Sequence, residues 1–190
     1  LAVAMPFVLT DLKEIKAGFN SCFIVRYLLE KACNAAQALS MLLELPIASN
    51  CNILLADKGG NMLVAECTPT AKNIRRPQKT DTGYGICTVN SFISEKMKPY
   101  DFAKGQDYYS RQRFQVVMET LNQHMKGNLI DTAQKLLKGE YGFMCQYDQE
   151  PDFETVWSSV FDLKNLTIYR AEGDPRKKKF IVDKRLQGNK

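Results

Sequence analysis

Two hydrophobic periods alternate along the chain, and the places where one gives way to the other mark the elements. Leu1–Leu9 is apolar with Pro6 interrupting it, which predicts a strand or buried extended segment. Asn20 or Ser21 can cap a helix running through Cys33, with Phe23, Ile24, Tyr27 and Leu28 on one face. Asn34 caps a second helix, and Gln37 sits three residues on, as in a capping box. Leu39, Leu42 and Leu43 form its apolar side, and Pro46 ends it. From Asn52 the period changes. Asn52–Asp57, the turn Lys58-Gly59-Gly60 and Asn61–Thr68 predict a β-hairpin. A short strand is expected at Asn73–Arg76, then a polar turn at Pro77–Thr82. Tyr84–Asn90 reads as a further strand whose Ile, Cys, Thr and Val imply burial on both faces.

Ser91–Asp107 reads as loop, marked by Pro99 and Gly105. Helical spacing returns at Ser110–His124, with Phe114, Val117, Met118 and Leu121 as its stripe, and again at Ile130–Lys138, closing on Gly139. Thr155–Asp162 and Leu166–Ala171 predict a second hairpin, and Phe180–Val182 a last strand. Helices, strands, helices, strands in that order suit an α+β fold in which two sheets are covered by separate helical layers. A doubly wound parallel sheet would need strict alternation. With no internal repeat or linker, residues 1–190 are expected to form a single domain.

Composition narrows the function classes. A hydrophobic content of 45% and an aromatic content of 10% specify a folded globule. The net charge of +5 is concentrated toward the tail, at Arg176, Lys177, Lys178, Lys179, Lys184, Arg185 and Lys190. No aromatic stacking platform interleaves with the Arg176–Lys179 run, so a solvated edge is expected and no nucleic-acid partner. No apolar run approaches the roughly 20 residues that span a bilayer. The opening Leu-Ala-Val-Ala-Met-Pro has no basic leader and starts without Met, as the interior of a longer polypeptide would. Six cysteines (Cys22, Cys33, Cys51, Cys67, Cys87 and Cys145) are scattered without a C-x-x-C pair, which points to free thiols in a reducing, cytoplasmic compartment.

Several chemistries have no residues to carry them. Gly59-Gly60 and Gly83/Gly85 fit neither a dinucleotide nor a P-loop pattern, so no cofactor is expected. His124 is the one histidine, near a helix end, and no metal site is expected around it. The serines Ser158 and Ser159 lie in a strand pattern without a nucleophile elbow. Cys22 lies near a helix start, where the dipole lowers a thiol pKa, but Phe23 and Ile24 beside it suggest packing. What remains is Asn90 at a strand end and Arg113 in the first turn of a helix. An amide donor and a guanidinium suit a carbonyl whose oxygen becomes negative during acyl transfer. On spacing alone, a turn asparagine and a surface arginine are equally consistent with these positions.

A longer set of motifs resembles a known family. These are Ile24-Val-Arg-Tyr-Leu-Leu-Glu30, Pro46-Ile-Ala-Ser-Asn50, Leu55-Ala-Asp57, Gly60 and Val64-Ala-Glu66. Thr88-Val-Asn90-Ser-Phe92, Ser110-Arg-Gln-Arg113-Phe114, Thr155–Asp162 and Gly173-Asp-Pro175 complete it. Their order and spacing resemble the C-terminal part of the N-terminal-nucleophile (Ntn) hydrolases of the acyl-CoA:6-aminopenicillanic acid acyltransferase type. These are relatives of choloylglycine hydrolases, penicillin V acylases and acid ceramidase. The resemblance implies a four-layer αββα sandwich, incomplete at its N-terminus. It also implies a cysteine nucleophile exposed by autoproteolysis, with its own α-amine as base and its position upstream of Leu1. The activity implied is acyl transfer or amide hydrolysis on a non-peptide C–N bond through an acyl-enzyme, with a small amide or an acyl-CoA as substrate. Asn90 matches the family's oxyanion-hole amide and Arg113 the arginine beside the nucleophile. Thr88 and Ser110 would support the pair or touch substrate, while Glu66 and Asp57 match positions that look structural. Thr-Val-Asn stands here where the family carries Thr-Asn. Without the nucleophile this chain alone is expected to be inactive, and to associate with the missing N-terminal segment or with itself. The alternative is a catalytically inactive homologue that binds a small ligand on the same scaffold.

Overall fold

The computed structural model describes residues 1–102, 108–145 and 154–185. It divides into two compact units, Leu1–Phe114 and Gln115–Lys190. In the first unit Ala2–Ala4 (β1), Cys51–Ala56 (β2), Met62–Cys67 (β3) and Lys72–Arg75 (β4) form an antiparallel sheet in that order. The hairpin expected from Asn52 onward is the centre of this sheet. Asn52 stands opposite Glu66 and Leu54 opposite Val64, and Gly60 turns the chain at a φ of +87° that L side chains rarely adopt.

Two helices cover one face. Asn20 caps Ser21–Lys31 (α1), accepting from the Cys22 N–H at 2.9 Å. Asn34 caps Ala35–Glu44 (α2), accepting from the Gln37 N–H at 2.9 Å. The Gln37 side chain reaches back as expected, but to the N–H of Cys33, one residue before the cap, at 2.8 Å. Ile24, Leu28, Ala35, Ala38 and Leu42 meet Cys51, Ile53, Leu55, Leu63, Ala65 and Cys67 in one continuous core. Burying a side chain such as Leu28 or Ile53 completely contributes about 1.5–3 kcal/mol. The apolar stripes differ in detail from the sequence expectation. Phe23 is 69% exposed and Leu43 47% exposed, because the buried face of α1 is Ile24 and Leu28 and that of α2 is Ala35, Ala38 and Leu42, at i, i+3 and i+7. Cys22 is exposed rather than packed.

Asp57 ties the hairpin turn to α2. Its carboxylate accepts from the Ala35 N–H at 3.0 Å, from the Gly59 N–H at 2.9 Å, and from Asn61 through both backbone and side chain. These bonds, the one from Ala35 first, lower its pKa from the ordinary carboxylate value. A depressed folded-state pKa gives stability that is fully present above the unfolded value, about 3.9, and is lost as pH falls through the folded value. Asp57→Asn should therefore flatten the acid side of the stability profile while changing its neutral-to-alkaline shape little. Denaturation midpoints measured from pH 3 to pH 7 check this, and an unchanged acid slope would refute it.

The predicted strand Tyr84–Asn90 is formed only at its first two residues. Gly83–Gly85 (β6) pairs with Gln78–Thr80 (β5), so part of the expected polar turn at Pro77–Thr82 is a strand, while residues 86–90 lie outside any ladder. Burial of Cys87 and Val89 is as expected. Their carbonyls are bound by side chains instead of a neighbouring strand, the Cys87 oxygen by Arg75 at 2.7 Å and the Val89 oxygen by Asn52 at 2.8 Å. The loop after Ser91 contains a 3₁₀ turn at Lys98–Tyr100. Of the Ser91–Asp107 loop expectation, 103–107 lie outside the described residues.

Ser110–Gln123 (α3) carries the boundary between the units. Its most buried positions are Ser110, Val116 and Thr120 rather than the predicted stripe, whose members are half-buried. In the second unit Asn128 caps Leu129–Lys138 (α4), which ends at Gly139 with φ +79°, as its sequence predicts. Trp157–Asp162 (β7), Thr167–Glu172 (β8) and Ile181–Val182 (β9) form an antiparallel sheet. It contacts α4 through β7, and Ser158, Val160 and Ala171 are its buried residues. The molecule is thus a mixed α/β protein with several sheets and four helices among the described residues. None of those helices is long and apolar enough to cross a membrane.

Candidate active site

Side chains alternate across a strand, so the residues between the core-facing positions of the first sheet point to its other face. Asn52 on β2, Glu66 on β3 and Arg75 on β4 share that face. Together they hold the segment from Cys87 to Ser94. The Asn52 Nδ2 donates to the carbonyls of Val89 at 2.8 Å and Ser91 at 3.0 Å, the two residues that flank Asn90. Glu66 is fully buried and accepts from the Ile93 N–H at 2.8 Å, the Ser94 N–H at 3.2 Å and the Ser94 hydroxyl. Arg75 donates to the Cys87 carbonyl and places Nε 2.8 Å from Glu66 Oε1. That Nε–H is not aligned on an acceptor, so the contact is an ion pair and not a hydrogen bond.

Asn90 is presented from this segment and meets Arg113. The Arg113 Nη2 donates to Asn90 Oδ1 at 3.0 Å, and Asn90 Nδ2 donates to the Phe7 carbonyl at 3.0 Å. A donor on one side and an acceptor on the other fix which way the amide lies. Arg113 also donates to the Tyr108 carbonyl, from Nη2 at 2.8 Å and Nε at 3.2 Å. Tyr108 and Tyr109 both have positive φ, 49° and 55°, an uncommon backbone that precedes α3. The Tyr108 ring packs edge-on to Phe7, with centroids 5.5 Å apart. Phe7, Asn90, Arg113 and Tyr108 thus close a ring of contacts. A charge-assisted bond to Oδ1 polarises the amide and makes its N–H groups stronger donors.

Thr88 and Ser110 also lie in the first unit. The hydroxyl oxygen of each is buried and has no hydrogen-bond partner among the described residues. The thiols nearest this chemistry are poor nucleophiles. Burial pushes the Cys87 pKa up to about 12, against the opposing pull of Arg75 and Arg113. Cys67 is held well above its ordinary value by its cross-strand neighbour Cys51 and by burial. Cys22 and Cys33 are exposed, on the helical side of the sheet. His124 stacks on Tyr141 with centroids 4.4 Å apart. No group of three or more His, Cys, Asp or Glu side chains converges among the described residues.

Motif pieces of the first unit, Val64-Ala-Glu66, Thr88–Phe92 and Ser110–Phe114, therefore converge on one segment, and the extent of the match along the chain decides the family. The family model for acyl-coenzyme A:6-aminopenicillanic acid acyl-transferase matches residues 1–177. The chain belongs to this family. It is accordingly a member of an Ntn-hydrolase family whose activity is acyl transfer or hydrolysis. No curated protein sequence matches the chain.

Asn90 and Arg113 are the two site residues that the sequence singled out and the structure joins. Asn52 and Arg75 were not singled out, and Glu66 was read as structural. A signal for Asn52 and Glu66 exists in the hairpin pattern. They are polar residues directly opposite one another in strands that are otherwise almost wholly apolar.

Proposed function

We propose that this acyltransferase-family chain is the C-terminal part of a cysteine Ntn-type acyltransferase or amidohydrolase. Its substrate class is a small non-peptide amide or an acyl-CoA, and its nucleophile is a cysteine that precedes Leu1 in the full polypeptide. The observation that carries the proposal is the Asn90–Arg113 pair, an oriented amide backed by a guanidinium in a chain of this family. The burial of Cys87 and Cys67, which raises both thiols above their ordinary value, supports a nucleophile other than these two. β1 is an edge strand, so an upstream strand can pair with it.

In the proposed reaction the α-amine of the cysteine takes the thiol proton, and the sulfur adds to the substrate carbonyl carbon. The carbonyl oxygen takes up the displaced electron pair as an oxyanion. The second N–H of the Asn90 amide, beyond the one given to Phe7, donates to it. Collapse breaks the C–N bond of an amide or the C–S bond of an acyl-CoA, the amine or thiol leaves with the proton held by the α-amine, and a thioester to the enzyme remains. Water or an acceptor amine then attacks that thioester, which makes the reaction hydrolysis or transfer.

The test is made on the full-length polypeptide from its native host. N-terminal sequencing should find a subunit that begins with Cys. Addition of p-nitrophenyl acetate should give a burst of p-nitrophenolate with a +42 Da adduct on that cysteine, the mass of an acetyl group replacing hydrogen. A mature subunit with no N-terminal cysteine and no adduct would overturn the proposal in favour of a ligand-binding homologue.

A further inference from the structure

Three polar side chains on adjacent strands, Asn52 and Glu66 fully buried and Arg75 half-buried, have no place in the reaction just described, yet they reach the segment that presents Asn90. Asn52 is fully buried, and its one amide nitrogen donates to the carbonyls on both sides of Asn90. Its backbone N–H donates to the Pro6 carbonyl at 2.9 Å, next to Phe7, whose own carbonyl receives the Asn90 amide. One residue thus fixes both the amide and the acceptor that orients it. The Asn52 Oδ1, by contrast, is buried with no partner among the described residues. Leaving a buried acceptor unpaired is unfavourable, so the side chain sits here at some expense to stability. Glu66 and Arg75 fix the two ends of the same segment, at Ser94 and Cys87.

We infer that Asn52, with Glu66 and Arg75 behind it, is the positioning residue that sets Asn90 for catalysis. The inference rests on the proposed role of Asn90 as an oxyanion donor. Asn52 does not touch the reacting atoms. It acts by holding the backbone on either side of the group that does, where a misplacement of about 1 Å is enough to cost on the order of 100-fold in rate.

The experiment compares wild type, Asn52→Leu and Asn52→Gln in the full-length polypeptide, with two readouts. The first is independent of activity. Cys87 lies in the clamped segment and is buried, so iodoacetamide labelling of its peptide, followed by mass spectrometry, reports how often the segment opens. Asn52→Leu should speed that labelling about tenfold, the opening expected from losing two ordinary hydrogen bonds. The second is the p-nitrophenyl acetate reaction. Asn52→Leu should lower kcat about 100-fold with KM little changed, and Asn52→Gln, which keeps an amide donor, should recover part of the loss. Should Asn52→Leu fail to fold, Glu66→Gln tests the same clamp from the next strand, with the same expected signs. A variant that loses melting temperature but keeps both wild-type labelling and wild-type kcat would overturn the inference. If the wild type itself gives no burst, the proposed function fails, and the labelling alone still decides whether Asn52 holds the segment.

Discussion

Asn90→Ala is expected to lower turnover of the full-length polypeptide by about 10²–10³-fold, or roughly 2.7–4 kcal/mol of transition-state stabilisation. The side chain gives one N–H to Phe7 and receives Arg113 on its oxygen, so its truncation removes an oriented, polarised donor and leaves the Arg113 guanidinium facing a gap. The loss should appear in kcat more than in KM, because charge on the carbonyl oxygen develops only on the way to the tetrahedral intermediate. The fold should hold. Asn90 is half-buried and outside the main core. Coupling gives a sharper check. If Arg113 acts through Asn90, then Asn90→Ala/Arg113→Ala should be little worse than Asn90→Ala alone. Full additivity of the two losses would mean that Arg113 works elsewhere, and an Asn90→Ala protein with wild-type kcat would remove Asn90 from the reaction.

Glu66→Ala is expected to be the most destabilising single change at the site, by about 3–5 kcal/mol, the usual consequence of deleting one partner of a buried ion pair. Glu66 is fully buried and the Arg75 side chain is 14% exposed, so the guanidinium left behind cannot be rescued by full hydration. Three donors lose their acceptor as well, namely the N–H groups of Ile93 and Ser94 and the Ser94 hydroxyl. Denaturant titration at neutral pH should show a lower midpoint with little change in slope. Amide exchange at Ile93 and Ser94 should rise first, since those protons are the ones released. A loss under about 1 kcal/mol, the size of an exposed pair, would mean that the network contributes no more than a surface contact.

Much of the scaffold was legible because it depends on local chemistry. Asn20, Asn34 and Gly139 act where their side chains or backbone freedom place them, and a cap needs only the residues of its own turn. The hairpin at Asn52–Thr68 follows from two short apolar runs on either side of the Lys58-Gly59-Gly60 turn. Tyr84–Asn90 misled because apolar, β-branched sequence reports burial and not pairing. Cys87 and Val89 are indeed buried, but side chains from other strands take the carbonyls that a ladder would use. The helix stripes were right at Ile24, Leu28 and Leu42, but on the second helix the sheet accepted Ala35 and Ala38 beside Leu42, and Leu43 faces outward.

The site divides along the same line. Residue types and motif order in the sequence determined the family and named Asn90 and Arg113, because an amide and a guanidinium carry the same chemistry wherever they stand. Tertiary structure alone decided that these two meet at 3.0 Å. It alone decided too that Asn52, Glu66 and Arg75, brought from three strands to one sheet face, grip the segment between them. Hydrogen bonds between residues far apart in sequence depend on register and on the packing of one layer against another, and no local pattern encodes either.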